Sequence, residues 1–149
     1  MKIINRKFGR EYQEVERFEA GIVLTGAEVK SIRNGALRLE DSYVRLIGNE
    51  PILINAEIAA YRFAPNDGYE PKRSRKLLLH KKEMTRLRTK MQGGGGLTLV
   101  PISCYNKGNV LKLEIALVRG RRDVEKRKLE KKKKIERDQK REAKEFFNK

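Results

Sequence analysis

The last thirty residues, 120–149, cannot contribute to a hydrophobic core, so whatever folds must fold within residues 1–119. The segment holds fourteen Lys or Arg and seven Asp or Glu. Its apolar residues, Val124, Leu129, Ile135, Ala143, Phe146 and Phe147, follow neither a period of 2 nor one of 3.6. Such a stretch buries too little apolar surface to offset the entropy of ordering it. Yet after Gly120 it contains no Gly and no Pro, and it is rich in strong helix formers. Opposite charges four residues apart, at Asp123/Arg127, Glu130/Lys134 and Glu136/Lys140, favour a helix. The expectation is a folded domain over 1–119 and a basic tail over 120–149. The tail is expected to be disordered alone and helical against a negatively charged partner.

The net charge is +16; the tail carries +7 of it, leaving +9 on residues 1–119. A domain basic in its own right points to a polyanion, most simply nucleic acid. With Cys104 as its one cysteine the chain forms no internal disulfide, which suits a reducing, cytoplasmic setting and a buried thiol. The N-terminal residues show no apolar signal region, and no apolar run reaches membrane-spanning length. The tail offers no apolar face for insertion, so no membrane partner is expected.

Residues 1–17 read as a polar, irregular arm. Phe18, Ala20, Ile22 and Leu24 alternate as a strand, and Gly26 opens a short helix that Asn34-Gly35 ends. In that helix Val29 and Ile32 share one side, and Lys30 and Arg33 another. Residues 41–47 and 52–58 read as strands joined at Gly48-Asn49-Glu50-Pro51. A polar loop spans 62–75, a strand 76–79 and a helix 81–92, the last with Met84, Leu87 and Met91 on one face. Gly93 to Gly96 lack the Lys-Ser/Thr sequel of a phosphate loop and read as a linker. Residues 97–105 and 110–119 form the clearest hairpin, with Leu111, Leu113, Ile115 and Leu117 on one face and Lys112 and Glu114 on the other. Six short strands and two short helices predict a mainly β fold with short helices. The leading candidate is a closed antiparallel barrel of the oligonucleotide-binding type, with flanking helices and the basic tail.

Catalytic chemistry is not expected. One histidine, His80, and one cysteine cannot assemble a His/Cys zinc site. His80 sits where a strand meets a helix and reads as a boundary residue rather than a catalytic base. Glu40-Asp41 and Asp67/Glu70 read as caps or ion-pair partners rather than magnesium ligands. Tyr43 and Tyr61 could stack on bases, but packing at the core or rim is the better reading of each. No enzyme activity, cofactor, metal or small-molecule substrate is therefore expected.

Four stretches in order resemble the tmRNA-binding small protein B family: Phe18-Glu19-Ala20-Gly21-Ile22-Val23-Leu24-Thr25-Gly26-Ala27-Glu28-Val29-Lys30-Ser31, Asp41-Ser42-Tyr43, Arg73-Ser74-Arg75-Lys76-Leu77-Leu78-Leu79-His80 and Gly96-Leu97-Thr98-Leu99-Val100-Pro101. The resemblance runs from about Asn5 into the tail. It implies an oligonucleotide-binding-type barrel and a role in trans-translation, the bacterial rescue of ribosomes stalled on messages without a stop codon. The partners it implies are the tRNA-like domain of tmRNA and the ribosome, through ribosomal RNA at the decoding site and message channel. The protein is expected to act as a monomer. The alternative is a general RNA-binding barrel of the ribosome or initiation machinery.

Carried over residue by residue, the resemblance places Asn5, Glu19, Lys30, Arg33, Arg75, Lys76, Leu78, Lys112 and Arg119 in or beside surfaces that face tmRNA. It assigns Arg121, Arg122, Glu125, Lys126, Arg127, Lys131, Lys132, Lys133 and Lys134 to the ribosome-binding tail. Lys30 and Arg33 suit phosphates. Glu19 should repel them, so it is expected to accept from a base or ribose, to orient a basic neighbour, or to form a salt bridge on its strand. The chain has Glu125-Lys126-Arg127 where the family commonly has Asp-Lys-Arg, and Arg10 where it commonly has His. Arg10 keeps a planar group able to stack.

Overall fold

The computed structural model describes residues 1–120 and the backbone of 123–147, with side chains from 127 to 145 in that last stretch. Among the described residues there are nine strands and four helices. They are β1 (Lys2–Ile4), α1 (Phe8–Glu11), β2 (Tyr12–Ile22), α2 (Gly26–Arg33), β3 (Leu37–Arg38), β4 (Tyr43–Ile47), β5 (Glu50–Ile54), β6 (Glu57–Ile58), β7 (Arg75–Leu78), α3 (Lys81–Gln92), β8 (Thr98–Lys107), β9 (Val110–Gly120) and α4 (Asp123–Phe147). The main sheet runs β1-β8-β4-β5-β7-β2-β9, and β8 also pairs with β9. Six strands are thereby hydrogen-bonded in a ring, with β1 added to the free length of β8; β3 and β6 form a separate pair. Every pairing is antiparallel. No described helix is long and apolar enough to cross a membrane.

Period-2 alternation sets the inner face of the ring. Phe18 and Ala20 of β2, Leu77 of β7, Leu99 and Cys104 of β8 and Leu111, Leu113, Ile115 and Leu117 of β9 are all buried in one cluster. Ile32 from α2 and Leu87 from α3 join the same cluster and are fully buried. Burying such a side chain stabilises by roughly 1.5–3 kcal/mol. Burial also raises the Cys104 thiol to about 11, so it stays protonated and inert at neutral pH.

The hairpin, α2 and α3 lie where the sequence predicts them; the first 17 residues do not. They form β1, α1 and the start of β2 instead of an irregular arm. Asn5 explains the difference. A bulge between Pro101 and Ser103 interrupts the β8–β9 ladder. There the Asn5 backbone donates to the Ile102 carbonyl at 2.8 Å, and its amide Nδ2 donates to the Pro101 carbonyl at 2.9 Å. Phe8 and Tyr12 then pack on Val100, Ile102, Ala116 and Val118, a second apolar cluster on the outer face. The sheet is thus covered on both sides at this end, with α1 over the outer face.

The largest polar feature is interior. Thr25 caps α2 with a capping box: Glu28 N donates to Thr25 Oγ1 at 3.2 Å, and Thr25 N to Glu28 Oε1 at 3.0 Å. That same carboxylate, 1% exposed, faces Arg75, 0% exposed. Arg75 Nε donates to Glu28 Oε2 at 2.8 Å, and Nη2 lies in ion-pair contact with the same oxygen at 2.7 Å. Its remaining donors reach the carbonyls of Ala56, Arg73 and Pro71 and the Tyr69 hydroxyl. Arg73 Nη2 also donates to Glu28 Oε1. The pair is thus buried with its lone pairs and protons satisfied, as a buried charge requires.

Burial alone would raise the Glu28 carboxyl. Donation from Arg73, the Thr25 amide and Arg75 outweighs it and brings the group down to about 2. A depressed carboxyl contributes stability that is complete above its unfolded value, about 4.3, and is lost as pH falls toward about 2. Glu28→Gln leaves a buried guanidinium without its counter-charge and is expected to cost about 3–5 kcal/mol. Urea unfolding at pH 7 and across the acid range checks this. A loss under 1 kcal/mol with the acid sensitivity unchanged would contradict the role given to Glu28.

Candidate RNA interface

The half of the outer face left open by α1 is built from β7, β2, β9 and β8. Their registers align Leu78, Gly21, Lys112 and Tyr105 in one row across the four strands. Gly21 suits a close approach: a Cβ there would lie 3.3 Å from the Leu78 Cβ, tighter than ordinary contact. Leu78 is 53% exposed and rests on that glycine shelf.

Glu19, two residues before Gly21 and so on the same face, is the centre of this surface. The Tyr105 hydroxyl donates to its Oε2, and Lys107 Nζ lies 2.9 Å from its Oε1. Those bonds, Tyr105 first, then Lys107, with Lys112 adding an attractive charge, hold the Glu19 carboxyl below the usual carboxylate range. Of the three expected roles, the salt bridge is the one the structure shows, made to Lys107. Arg17 bridges Glu14 and Glu114 beside it.

A second basic edge comes from α2. Lys30 and Arg33 are exposed, as the helical spacing predicts. Lys30 Nζ stands 5.7 Å from the centre of the Tyr61 ring. Arg33 Nη2 donates to the Asn109 carbonyl at 3.0 Å. Asn109 and Lys107 belong to one tight turn, which Gly108 allows with φ +63°. The turn therefore joins the α2 edge, through Arg33, to the Glu19 centre, through Lys107.

Three expected surface residues lie elsewhere. Arg75 is corrected from a surface to an interior position. On a strand its side chain shares the face of Leu77, opposite Lys76 and Leu78, and it is fully buried against Glu28. Asn5 is 4% exposed and spends its amide on the Pro101 carbonyl, so it positions the N-terminal arm from beneath. Arg119 is exposed but seven residues along β9 from Lys112, roughly 23 Å at ~3.3 Å per residue, beside Gly95 and the root of the tail. Lys76 stays on the outer face, paired with Glu50 at 2.8 Å. Sequence reasoning passed over Tyr105 and Lys107; drawing the hairpin register, which sets Tyr105 opposite Lys112, would have found the first.

Of the tail residues, Arg121 and Arg122 lie outside the described residues, as do the side chains of Glu125 and Lys126. Arg127 and Lys131 to Lys134 are exposed on α4. Where the sequence leads one to expect a segment without structure of its own, the backbone is one 25-residue helix. High helix propensity and the lack of Gly or Pro account for the conformation. The helix meets the body at α1, where Arg10 Nε lies 2.6 Å from Glu130 Oε1.

A ring of antiparallel strands with an ion-paired basic face and a long basic helix defines a mainly β protein built to meet a polyanion. Residues 2–145 match the SmpB protein family. The chain is 47% identical over 143 residues to the SsrA-binding protein of Sulfurihydrogenibium sp. (strain YO3AOP1), covering 96% of this chain and 91% of that one. It is 44% identical over 124 residues to the SsrA-binding protein of Deinococcus radiodurans, covering 83% and 86%. A solved structure described as "tmRNA-SmpB: a journey to the center of the bacterial ribosome" superposes with a TM-score of 0.66 at 39% identity, over 85% of this chain and 92% of that one. The chain belongs to the SmpB family.

If Glu19 acts by orienting Tyr105 and Lys107, Glu19→Ala weakens binding to the tRNA-like domain although it removes a negative charge. Lys112→Ala weakens it too and flattens the salt dependence by about 0.9 in log K against log salt, the value for one phosphate contact. Filter binding over a salt series measures both, and tighter binding by Glu19→Ala would contradict the orienting role.

Proposed function

We infer that this chain is a non-enzymatic RNA-binding factor that holds the tRNA-like domain of tmRNA and accompanies it to stalled ribosomes in the cytoplasm. The observation that carries this reading is the family match over residues 2–145, joined by a structural relative whose description sets SmpB with tmRNA in the bacterial ribosome. The six-stranded ring is read as a barrel of the oligonucleotide-binding type, and residues 1–119 as the part that holds tmRNA. The surface formed by Lys30, Arg33, Glu19 and Lys112 supports that assignment: its cations suit phosphates, and Tyr105 and Lys107, both bonded to Glu19, lie beside them.

The tail, residues 120–149, is assigned to the ribosome, as a helix beside ribosomal RNA in the empty message channel. Its helix length supports this: 25 residues span about 37 Å at ~1.5 Å per residue. The Arg10–Glu130 pair itself adds little to docking on the body, since both side chains are more than half exposed, and such pairs contribute about 0–1 kcal/mol. An exposed helix without a packed face is marginal in water. Circular dichroism of the full chain, less that of a chain ending at Gly120, is expected to show a partly helical tail that gains helix on ribosome binding. A tail already fully helical in the free protein would contradict coupled folding.

The two-part reading is tested by the same truncation. A chain ending at Gly120 is expected to keep most of its affinity for the tRNA-like domain at moderate salt and to lose peptide tagging on stalled ribosomes. Parallel loss of both would contradict it. Equal binding to an unrelated tRNA would favour a general RNA-binding protein instead.

A further inference from the structure

Phe63 is 72% exposed, more than any other large apolar side chain among the described residues. It does not sit on a floppy strand of loop. Ala64 N donates to the Tyr61 carbonyl at 3.1 Å, closing a tight turn with Arg62 and Phe63 at its centre. The root of the turn is fixed to the body: Ala59 N donates to the Ala36 carbonyl at 3.1 Å, and the Ser31 hydroxyl of α2 donates to the Ala59 carbonyl. An aromatic ring at such a position gains nothing from the fold's core and costs hydration.

The surroundings of the ring are specific. Arg62 Cζ lies over it, 4.7 Å from its centre. The Tyr61 ring packs against it in a T-shaped contact, with centres 5.5 Å apart at 69°. Tyr61 in turn carries the Lys30 ammonium. A cation thus lies over the Phe63 ring and an aromatic neighbour steadies it, yet Phe63 stays 72% exposed. Cations alternate with rings along Lys30, Tyr61, Arg62 and Phe63, the arrangement that single-stranded nucleic acid selects, since cations suit phosphates and rings suit bases.

From this we propose that the Tyr61–Phe63 turn is a base-stacking platform that takes one unpaired nucleobase on the open face of Phe63, next to the phosphates held by Lys30 and Arg33. The occupant is an unstacked base because a base inside a helix has no free face to offer. The proposal rests on the RNA-binding reading above and adds a contact to it. A rigid turn and a ring with few rotatable bonds make the contact cheap in entropy.

Two measurements test it on the full chain with the tRNA-like domain of tmRNA as probe. Phe63→Ala is expected to weaken binding about 5- to 150-fold, the range for loss of one stacked base. The slope of log K against log salt should stay unchanged because no phosphate contact is lost. Lys30→Ala should instead change that slope. The chain has no tryptophan, so Phe63→Trp supplies a single reporter whose emission should be quenched as the RNA saturates it, with affinity retained. Wild-type binding combined with no loss in Phe63→Ala, or with unchanged reporter emission at saturation, overturns the platform alone. No binding by the wild-type protein overturns the platform and the RNA-binding reading together.

Discussion

The Glu28 carboxylate is the interaction on which the rest of the surface depends. It caps α2 from within, which fixes where Lys30 and Arg33 stand. It accepts from Arg75 Nε and supplies its counter-charge, and through Arg75 it fixes β7, whose opposite face presents Lys76 and Leu78. Arg75 and Tyr69 then gather the carbonyls of Ala56, Ile58, Pro71 and Arg73, the chain on both sides of the long loop. A helix edge, a strand and a loop are joined by charge as well as by the apolar packing of Ile32, Ile58 and Leu77. Removing either member leaves the other charged and desolvated, so the network holds or fails as a unit.

Above this buried pair, Glu19 plays the same part at the surface. Its carboxylate is spent on Tyr105 and Lys107, leaving the outer face less acidic than its sequence suggests. Buried or exposed, each glutamate orders the cations and hydroxyls around it. The result is a basic surface with fixed geometry, set apart from the charge of the tail helix. Such a division suits a protein that must hold one RNA by shape while reaching toward another by charge.

What could be read in the sequence follows its periodicities. The hairpin of β8 and β9 and the helix α3 show clear periods and are where they were expected. β1 and α1 were not legible, because three- and four-residue elements carry no period; Asn5 and a bulge in β8 place them. Among the site residues, Lys30 and Arg33 were legible from helical spacing and Lys112 from strand alternation. Arg75 was not: a buried arginine is read as exposed unless its partner, 47 positions earlier, is known. Alternation along Arg75–Leu78 already set it with Leu77, so the signal was present but outweighed by its charge. Tyr105 and Lys107 depend on hairpin register, which spacing alone leaves open.

The central claim is that body and tail address different RNAs. It is tested most directly by photo-crosslinking from single positions in ribosomes stalled with tmRNA present. A crosslinker in place of Lys112, on the outer sheet face, should mark the tRNA-like domain of tmRNA. One in place of Lys131, on the exposed tail helix, should mark ribosomal RNA. Crosslinks from both positions to the same RNA would contradict the account.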